Sequence, residues 1–257
     1  MKKLLDSFSL FLLAVLPSCA DVELLQTSRA LNSEVLTAIK SMPSNRGYDA
    51  SQAAVDRLAA SVLLKDGLIV QDLKNLDSTF CSGATYLVFL RAIEALRLRN
   101  SSFLPANDWA RFAKLGVKDG EEIFGRWNAN GPGTAKLFAD LNCGVNFTSA
   151  DQARPGDFLK MWWTQAIGGK ERGHSVVYLS QTPISITFWS ANEPDGYGKK
   201  TVKKSKIKHQ LFSRLTKPAN LAKATHLSPK DQFLADMLRK DFTWQQVAKS
   251  CKVKATP

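Results

Sequence analysis

Apolar residues recur with helical periodicity through most of the first half of the chain. The pattern predicts helices across residues 21–76, including a second helix at 49–64 that ends at a Lys-Asp-Gly sequence. The strongest helical signal covers residues 80–99, where a broad apolar face runs without a proline. Residues 107–142 predict two or three shorter helices, separated by glycines.

The hydrophobic period changes after Arg154-Pro155-Gly156-Asp157, a turn sequence in which the aspartate is expected to shape the turn and not to act as an acid. Residues 158–164, 175–179 and 184–189 predict three short strands. A further helix is predicted at 228–239, with a Ser-Pro pair at its start. Helices followed by a cluster of short antiparallel strands predict an α+β fold.

Composition indicates an ordinary globular protein: 44% of the 257 residues are hydrophobic and 23% are charged. The net charge of +12 is concentrated at the C-terminal end. Residues 199–257 contain 15 Lys and Arg against three Asp, whereas residues 1–198 contain 20 basic and 20 acidic residues. We therefore predict a basic C-terminal extension with an anionic partner, such as a cell-envelope polymer. A solvated surface without a specific partner is the alternative.

The N-terminus has the order of a secretory signal. Lys2 and Lys3 precede an apolar run at 10–16, and small residues follow. We predict a signal peptide at 1–20 and export to the periplasm, the outer envelope or the medium, where a nucleic-acid partner is not expected. The sequence Leu16-Pro17-Ser18-Cys19 also resembles a bacterial lipobox, so lipidation of Cys19 and membrane anchoring are an alternative to simple cleavage.

Three cysteines remain after such processing. Four in the whole chain are too few for a disulfide scaffold. Cys143 and Cys251 form a candidate pair, which the sequence leaves open.

Cys81 lies at the start of the strongest predicted helix. The free N–H groups and the positive dipole end of a helix stabilise a thiolate, and the small residues Ser82 and Gly83 are expected to let a substrate backbone approach. His174 precedes a predicted strand that can bring its imidazole to the sulfur. A cysteine with a distant histidine is the general arrangement of thiol hydrolases.

A third residue is expected to hold the imidazole. Asn192 is favoured, because its neutral carbonyl oxygen can accept the second imidazole N–H, while Ser190 and Thr187 remain alternatives. Asn75, six residues before the cysteine, is a weaker candidate for stabilising an oxyanion. Trp162, Trp163 and Trp189 flank these residues and belong either to a binding groove or to the core.

Three short motifs carry a resemblance to a known family. Phe80-Cys81-Ser82-Gly83 before an apolar helix, Arg154-Pro155-Gly156-Asp157 before a strand, and Gly173-His174-Ser175 at a strand start resemble, in this order, the motifs of NlpC-type cell-wall peptidases. The resemblance covers a little under half of the chain. It implies a papain-like core, with the nucleophile at a helix N-terminus packed on a small antiparallel sheet.

The resemblance also implies an activity, namely the hydrolysis of amide bonds in peptidoglycan stem peptides. The cysteine would act as nucleophile and the histidine as base, without a cofactor. We predict a signal at 1–20, added helices at 21–75, a catalytic domain at 76–198 and the basic extension at 199–257. The alternatives are a thiol hydrolase or acyltransferase that acts on proteins or lipids, and a non-catalytic wall-binding protein that uses its basic residues.

Overall fold

The structure, a computed structural model, describes residues 31–253. The predicted signal peptide and Cys19 lie outside the described residues. Within them, no helix is both long enough and apolar enough to cross a bilayer. The α-helices are α1 (31–40), α2 (Gln52–Ala60), α3 (Cys81–Arg99), α4 (Ala106–Ala110), α5 (Glu122–Asn128), α6 (Gly133–Leu141), α7 (Gln232–Asp236) and α8 (Trp244–Ser250).

The strands are β1 (Gly47–Tyr48), β2 (Val62–Lys65), β3 (Leu68–Gln71), β4 (Ser78–Thr79), β5 (Gly144–Phe147), β6 (Phe158–Trp162), β7 (Gly173–Gln181), β8 (Ser185–Asn192), β9 (Gly196–Lys203) and β10 (His209–Leu215). Six of them form one antiparallel sheet in the order β5-β10-β6-β7-β8-β9. Strands β2 and β3 form a hairpin, and the short strands β1 and β4 pair in parallel.

Helix α3 forms the centre of the core. Its side chains are buried on most sides, as expected for a helix that is apolar around its circumference. Phe89 on this helix packs against Trp127 of α5 and Phe158 of β6, with ring centroids 4.8 and 6.3 Å apart. Val177 and Trp189, on β7 and β8, belong to the same buried cluster. The helix therefore lies against one face of the sheet, and its N-terminus is fixed relative to the strands.

The predicted α+β class is confirmed at this level: the fold mixes helices with small, mainly antiparallel sheets. The helix expected at 80–99 is present, and the two or three short helices expected in 107–142 are found as α4, α5 and α6. The three predicted strands correspond to β6, β7 and β8. Both Cys143 and Cys251 are buried free thiols, so the candidate disulfide is not formed.

The helix predicted at 49–64 is partly wrong. Helix α2 ends at Ala60, and the following leucine-rich stretch forms the β2–β3 hairpin. Asp66 and Gly67 both have positive φ angles, 51° and 75°. A two-residue turn with left-handed conformations matches the twist of paired strands, so it reverses the chain here instead of ending a helix.

The boundary predicted before residue 199 is also wrong, because it falls inside β9. Strand β10 lies between β5 and β6 in the middle of the sheet. Along β9 exposed and partly buried positions alternate, with Lys199 and Lys203 on the exposed side. The lysines thus cover the outside of a strand, and the charge count alone suggested an extension where the chain continues the sheet.

The C-terminal helix begins later than predicted. The Asp231 carboxylate caps α7 by accepting a hydrogen bond from the Leu234 N–H at 2.9 Å. Ser228, the predicted start, instead accepts hydrogen bonds from the buried Arg126 guanidinium through its carbonyl and hydroxyl oxygens. An aspartate three residues further on is the better cap here, because its carboxylate also pairs with Arg126.

The turn before β6 is tied to the sheet and to α1 by its aspartate, as expected for a structural role. Asp157 is fully buried, and the Arg214 guanidinium donates to both carboxylate oxygens at 2.7 and 2.6 Å. The Arg154 N–H and the Asn32 side-chain amide also donate to it, at 2.8 and 2.9 Å. This carboxylate therefore joins the first described helix, the turn and β10.

Candidate active site

Cys81 is the first residue of α3, and Phe80 before it provides no side-chain hydrogen bond to the helix end. The first N–H groups of the helix therefore have no capping side chain to accept their hydrogen bonds. The cysteine is partly exposed, whereas Cys143 and Cys251 are buried. Of the described thiols, that of Cys81 therefore combines access to solvent with a position at the positive end of a helix dipole.

The small residues after the cysteine serve packing and not substrate access. Gly83 is buried, and a Cβ atom there would lie 2.8 Å from both Leu58 Cδ2 and Thr79 Oγ1. Glycine thus lets α2 approach α3 closely. Ser82 is also buried. The expectation that these two residues admit a substrate backbone is therefore wrong.

His174 and Asn192 lie next to each other on β7 and β8. The His174 Nε2 and Asn192 Oδ1 atoms are 3.1 Å apart. The Asn192 Nδ2 group faces three carbonyl oxygens, of Ser190, Gly196 and Gly198, at 3.1, 3.3 and 3.0 Å. An amide nitrogen donates and carbonyl oxygens accept, so these contacts fix the amide orientation with Oδ1 toward the imidazole.

This orientation also fixes the imidazole tautomer. Because Asn192 Oδ1 can only accept, His174 Nε2 carries the hydrogen and Nδ1 is left for another partner. That partner is Cys81, whose thiol is hydrogen-bonded to the His174 side chain. The structure thus brings together the three residues that the sequence singled out, in the order sulfur, imidazole, amide.

The two alternatives for the third residue bond elsewhere. The Ser190 hydroxyl donates to the Ser175 carbonyl oxygen at 2.8 Å, and the Thr187 hydroxyl pairs with that of Thr201 at 2.8 Å. Of the three candidates, only Asn192 contacts the imidazole.

The electrostatics of the site favour a thiolate. Burial raises the pKa of the Cys81 thiol, but the His174 hydrogen bond and charge, the Lys160 charge and the Ser175 N–H together outweigh it. The net effect lowers the pKa from 9.0 to about 7. Burial raises the pKa of Cys143 well above the usual range, and burial together with the charges of Asp140 and Asp231 does the same for Cys251. Of the three cysteines that the structure describes, Cys81 is thus the one whose thiol ionises near neutral pH.

Lys160 was not anticipated from the sequence. It lies on β6 opposite Ser175, and its ammonium pairs with the Glu171 carboxylate at 2.7 Å. Both side chains are largely buried, which holds the cation close enough to contribute to the thiol pKa. A single lysine on a short strand carries no recognisable sequence signal, because its neighbours are set by strand pairing.

Tyr48 was also not anticipated, since it lies in the segment expected to be accessory. Strand β1 pairs Tyr48 with Thr79, two residues before Cys81. The Tyr197 N–H donates to the Arg46 carbonyl oxygen at 2.8 Å, which ties the same segment to the start of β9. The N-terminal segment therefore contacts both the strand before the nucleophile and the start of β9, which follows the turn after Asn192.

The Tyr48 phenol is a neutral donor at physiological pH. Burial, followed by the negative charges of Cys81 and Glu193, raises its pKa to about 12. Its hydroxyl has no hydrogen-bond partner among residues 31–253. A phenol that is neutral, close to the sulfur and without a protein acceptor is available to a substrate oxygen.

A cleft of about 290 Å³ opens beside the imidazole. The polar side chains of Tyr48, His174 and Asn192 line it, together with the aromatic rings of Trp163 and Phe188. The Trp163 ring centroid lies 6.5 Å from that of His174. Of the three tryptophans near the site, Trp163 thus faces the cleft.

The other two tryptophans belong to the core: Trp162 and Trp189 are buried. Asn75 lies on the exposed surface, where its amide donates to Asp72, and it does not line the cleft. Within the described part of the chain, no group of three or more His, Cys, Asp and Glu side chains is arranged to hold a metal ion.

The chain matches no protein-family model, and comparisons with curated proteins and with solved structures found no significant match.

Proposed function

We propose that this protein is a cysteine amidase or endopeptidase. The observation that carries the proposal is the Cys81–His174–Asn192 arrangement around a thiol with a pKa of about 7. A partly exposed thiolate beside a histidine, which is itself oriented by an amide, is the constellation that acyl transfer by a thiol requires. We also propose that the core is papain-like, a proposal supported by the packing of the nucleophile helix on an antiparallel sheet that carries the histidine.

The proposed reaction has two halves. The Cys81 thiolate attacks an amide carbonyl carbon, and the resulting tetrahedral oxyanion collapses to a thioester as the C–N bond breaks. His174 gives its proton to the departing amine, which leaves neutral. Water then attacks the thioester, with His174 accepting a proton from the water, and the acid and the thiolate are released.

The oxyanion would be stabilised by two donors. One is the backbone N–H of Cys81 at the uncapped helix end. The other is the Tyr48 hydroxyl, which is neutral and has no acceptor in the described chain. Tyr48 replaces Asn75 in this role, because the Asn75 amide is engaged with Asp72 away from the cleft.

The substrate is proposed from the sequence features. The predicted signal peptide and the resemblance to NlpC-type peptidases favour amide bonds in peptidoglycan stem peptides, hydrolysed outside the cytoplasm. Exposed lysines along β9 and the following turn, including Lys199 and Lys203, are suited to an anionic envelope polymer as partner. If Cys19 is lipidated, the protein would be anchored to a membrane.

The test of the proposal is thiol reactivity. We expect iodoacetamide to label Cys81 with a half-maximal rate near pH 7, rising with pH as the thiolate forms. In His174→Ala, burial remains while the opposing hydrogen bond and charge are lost, so the midpoint should move to higher pH. The measurement is the pH dependence of the labelling rate, with the modified cysteine mapped by mass spectrometry.

Two controls accompany this experiment. Cys143 and Cys251 should stay unlabelled in the folded protein, because they are buried and have raised pKa values. His209→Ala, which removes another partly buried histidine, should leave the midpoint unchanged. A midpoint near the free-thiol value of about 8.5, or one that ignores the loss of His174, would count against the proposal.

A second prediction concerns Tyr48. Replacing it with phenylalanine keeps the ring and removes only the hydroxyl, so kcat on a muropeptide should fall by about 10²-fold, the usual cost of one oxyanion donor. The thiol labelling midpoint should change little. Tyr178→Phe is the matched control, since that phenol packs against Phe212 within a separate buried cluster. Unchanged kcat in Tyr48→Phe would remove this residue from the mechanism.

Two alternative functions would use some of the same residues. A thiol hydrolase or acyltransferase that acts on proteins or lipids would use the same three residues, and product analysis on defined muropeptides against protein substrates separates it. A non-catalytic wall-binding protein would instead rely on the lysines alone and would not depend on Cys81.

A further inference from the structure

The cleft lies on the histidine side of the nucleophile. His174 and Asn192 form part of its wall, together with Trp163. In the proposed reaction the departing amine takes its proton from His174, so this amine must be close to the imidazole when the C–N bond breaks. The part of the substrate attached to the scissile nitrogen therefore occupies this cleft.

Two lysines and one glutamate line the cleft in addition. The Lys200 ammonium is already engaged, with the Asp195 carboxylate at 2.7 Å and the Glu193 carbonyl oxygen at 3.1 Å. Lys206 has no ion pair within the described part of the chain. The cleft thus offers one cation, Lys206, that no carboxylate of residues 31–253 neutralises.

The negative charge in the cleft comes from the Glu193 carboxylate, which lines it together with the lysines. The Glu193 charge acts on the Tyr48 phenol, and within residues 31–253 this carboxylate forms no ion pair with Lys206. An anion in the cleft is consequently repelled by Glu193 and attracted toward Lys206. The aromatic rings of Trp163 and Phe188 suit an uncharged part of the substrate.

We propose that the cleft binds a carboxylate on the amine side of the scissile bond, with Lys206 as its partner. The substrate class is thus an amide whose leaving group is an amino acid or a short peptide with a free carboxylate near the scissile nitrogen. The proposal rests on the proposed function and deepens it, because it assigns the chemistry of the leaving group.

The test uses alkylating reagents that differ only in charge. N-bromoacetylglycine and N-bromoacetylglycinamide both place a peptide-like group beside the sulfur they alkylate, but only the first carries a carboxylate. We expect the ratio of their rates at Cys81 to exceed the ratio measured with 2-mercaptoethanol by about tenfold, as for one charge-assisted hydrogen bond. A second pair of reagents, N-bromoacetyl-β-alanine and its amide, places the carboxylate one carbon further from the sulfur.

The variant Lys206→Met should lower this ratio to that of 2-mercaptoethanol. Lys208→Met removes the same charge two residues away, from an exposed lysine that does not line the cleft, and should keep the preference. The two lysine variants together separate a specific partner from the general attraction of a basic protein for anions.

The outcomes are distinct from those of the function test. Equal ratios in the wild type and in Lys206→Met, or equal losses in both lysine variants, would overturn the proposal even if muropeptides are hydrolysed. Conversely, an unactivated thiol would contradict the proposed function, whereas the reagent ratio would still report whether the cleft holds a carboxylate.

Discussion

Replacing Cys81 with alanine is expected to abolish hydrolysis of muropeptide amide bonds, with kcat/KM lower by about 10⁴-fold or more. The covalent pathway needs the thiolate, and in the described chain Cys81 is the thiol that is both partly exposed and has a lowered pKa. Digestion of purified muropeptides, followed by chromatography and mass spectrometry, measures the loss and identifies the bond cleaved.

Three comparisons make this result informative. His174→Ala should lower kcat/KM by a similar factor, because the nucleophile and its base act as one unit. Cys143→Ala removes a buried thiol two residues after the end of α6 and should keep the activity of the folded protein. Hydrolysis that survives in Cys81→Ala would leave the non-catalytic alternative, in which binding to cell-wall material is independent of the cysteine.

Replacing Asp157 with asparagine is expected to lower the free energy of unfolding by about 3–5 kcal/mol. The substitution keeps the shape of the side chain but removes its charge, which leaves the buried Arg214 guanidinium without a counter-ion. It also weakens the contacts of the same carboxylate with Asn32 and with the Arg154 N–H. Denaturant unfolding followed by circular dichroism measures the change.

Asp77→Asn provides the matched comparison. Asp77 also pairs with an arginine, Arg46, but its side chain is 83% exposed. Solvent screens such a pair, so its loss should cost no more than about 1 kcal/mol. If the two aspartate variants are equally stable, the buried network around the Pro-Gly-Asp turn does not hold the fold in the way that we describe.

Part of the site could be predicted from the sequence because its signals are local. A cysteine before a strongly apolar helix and a histidine at the start of a strand are recognisable from neighbouring residues, and the structure places Cys81 and His174 in contact. Asn192 was one of three candidates. The choice between it, Ser190 and Thr187 needed the hydrogen bonds between strands, which no local pattern contains.

The sequence by itself determined the α+β class, the central helix α3, three strands of the sheet and the two residues at the centre of the site. Only the tertiary structure decided that Tyr48 and Lys160 belong to the same site and that strand β10, near the C-terminal end, lies between β5 and β6 in the sheet. The physical reason is sequence distance: helix periodicity and turn residues act within a few positions, whereas strand pairing joins segments far apart in the chain.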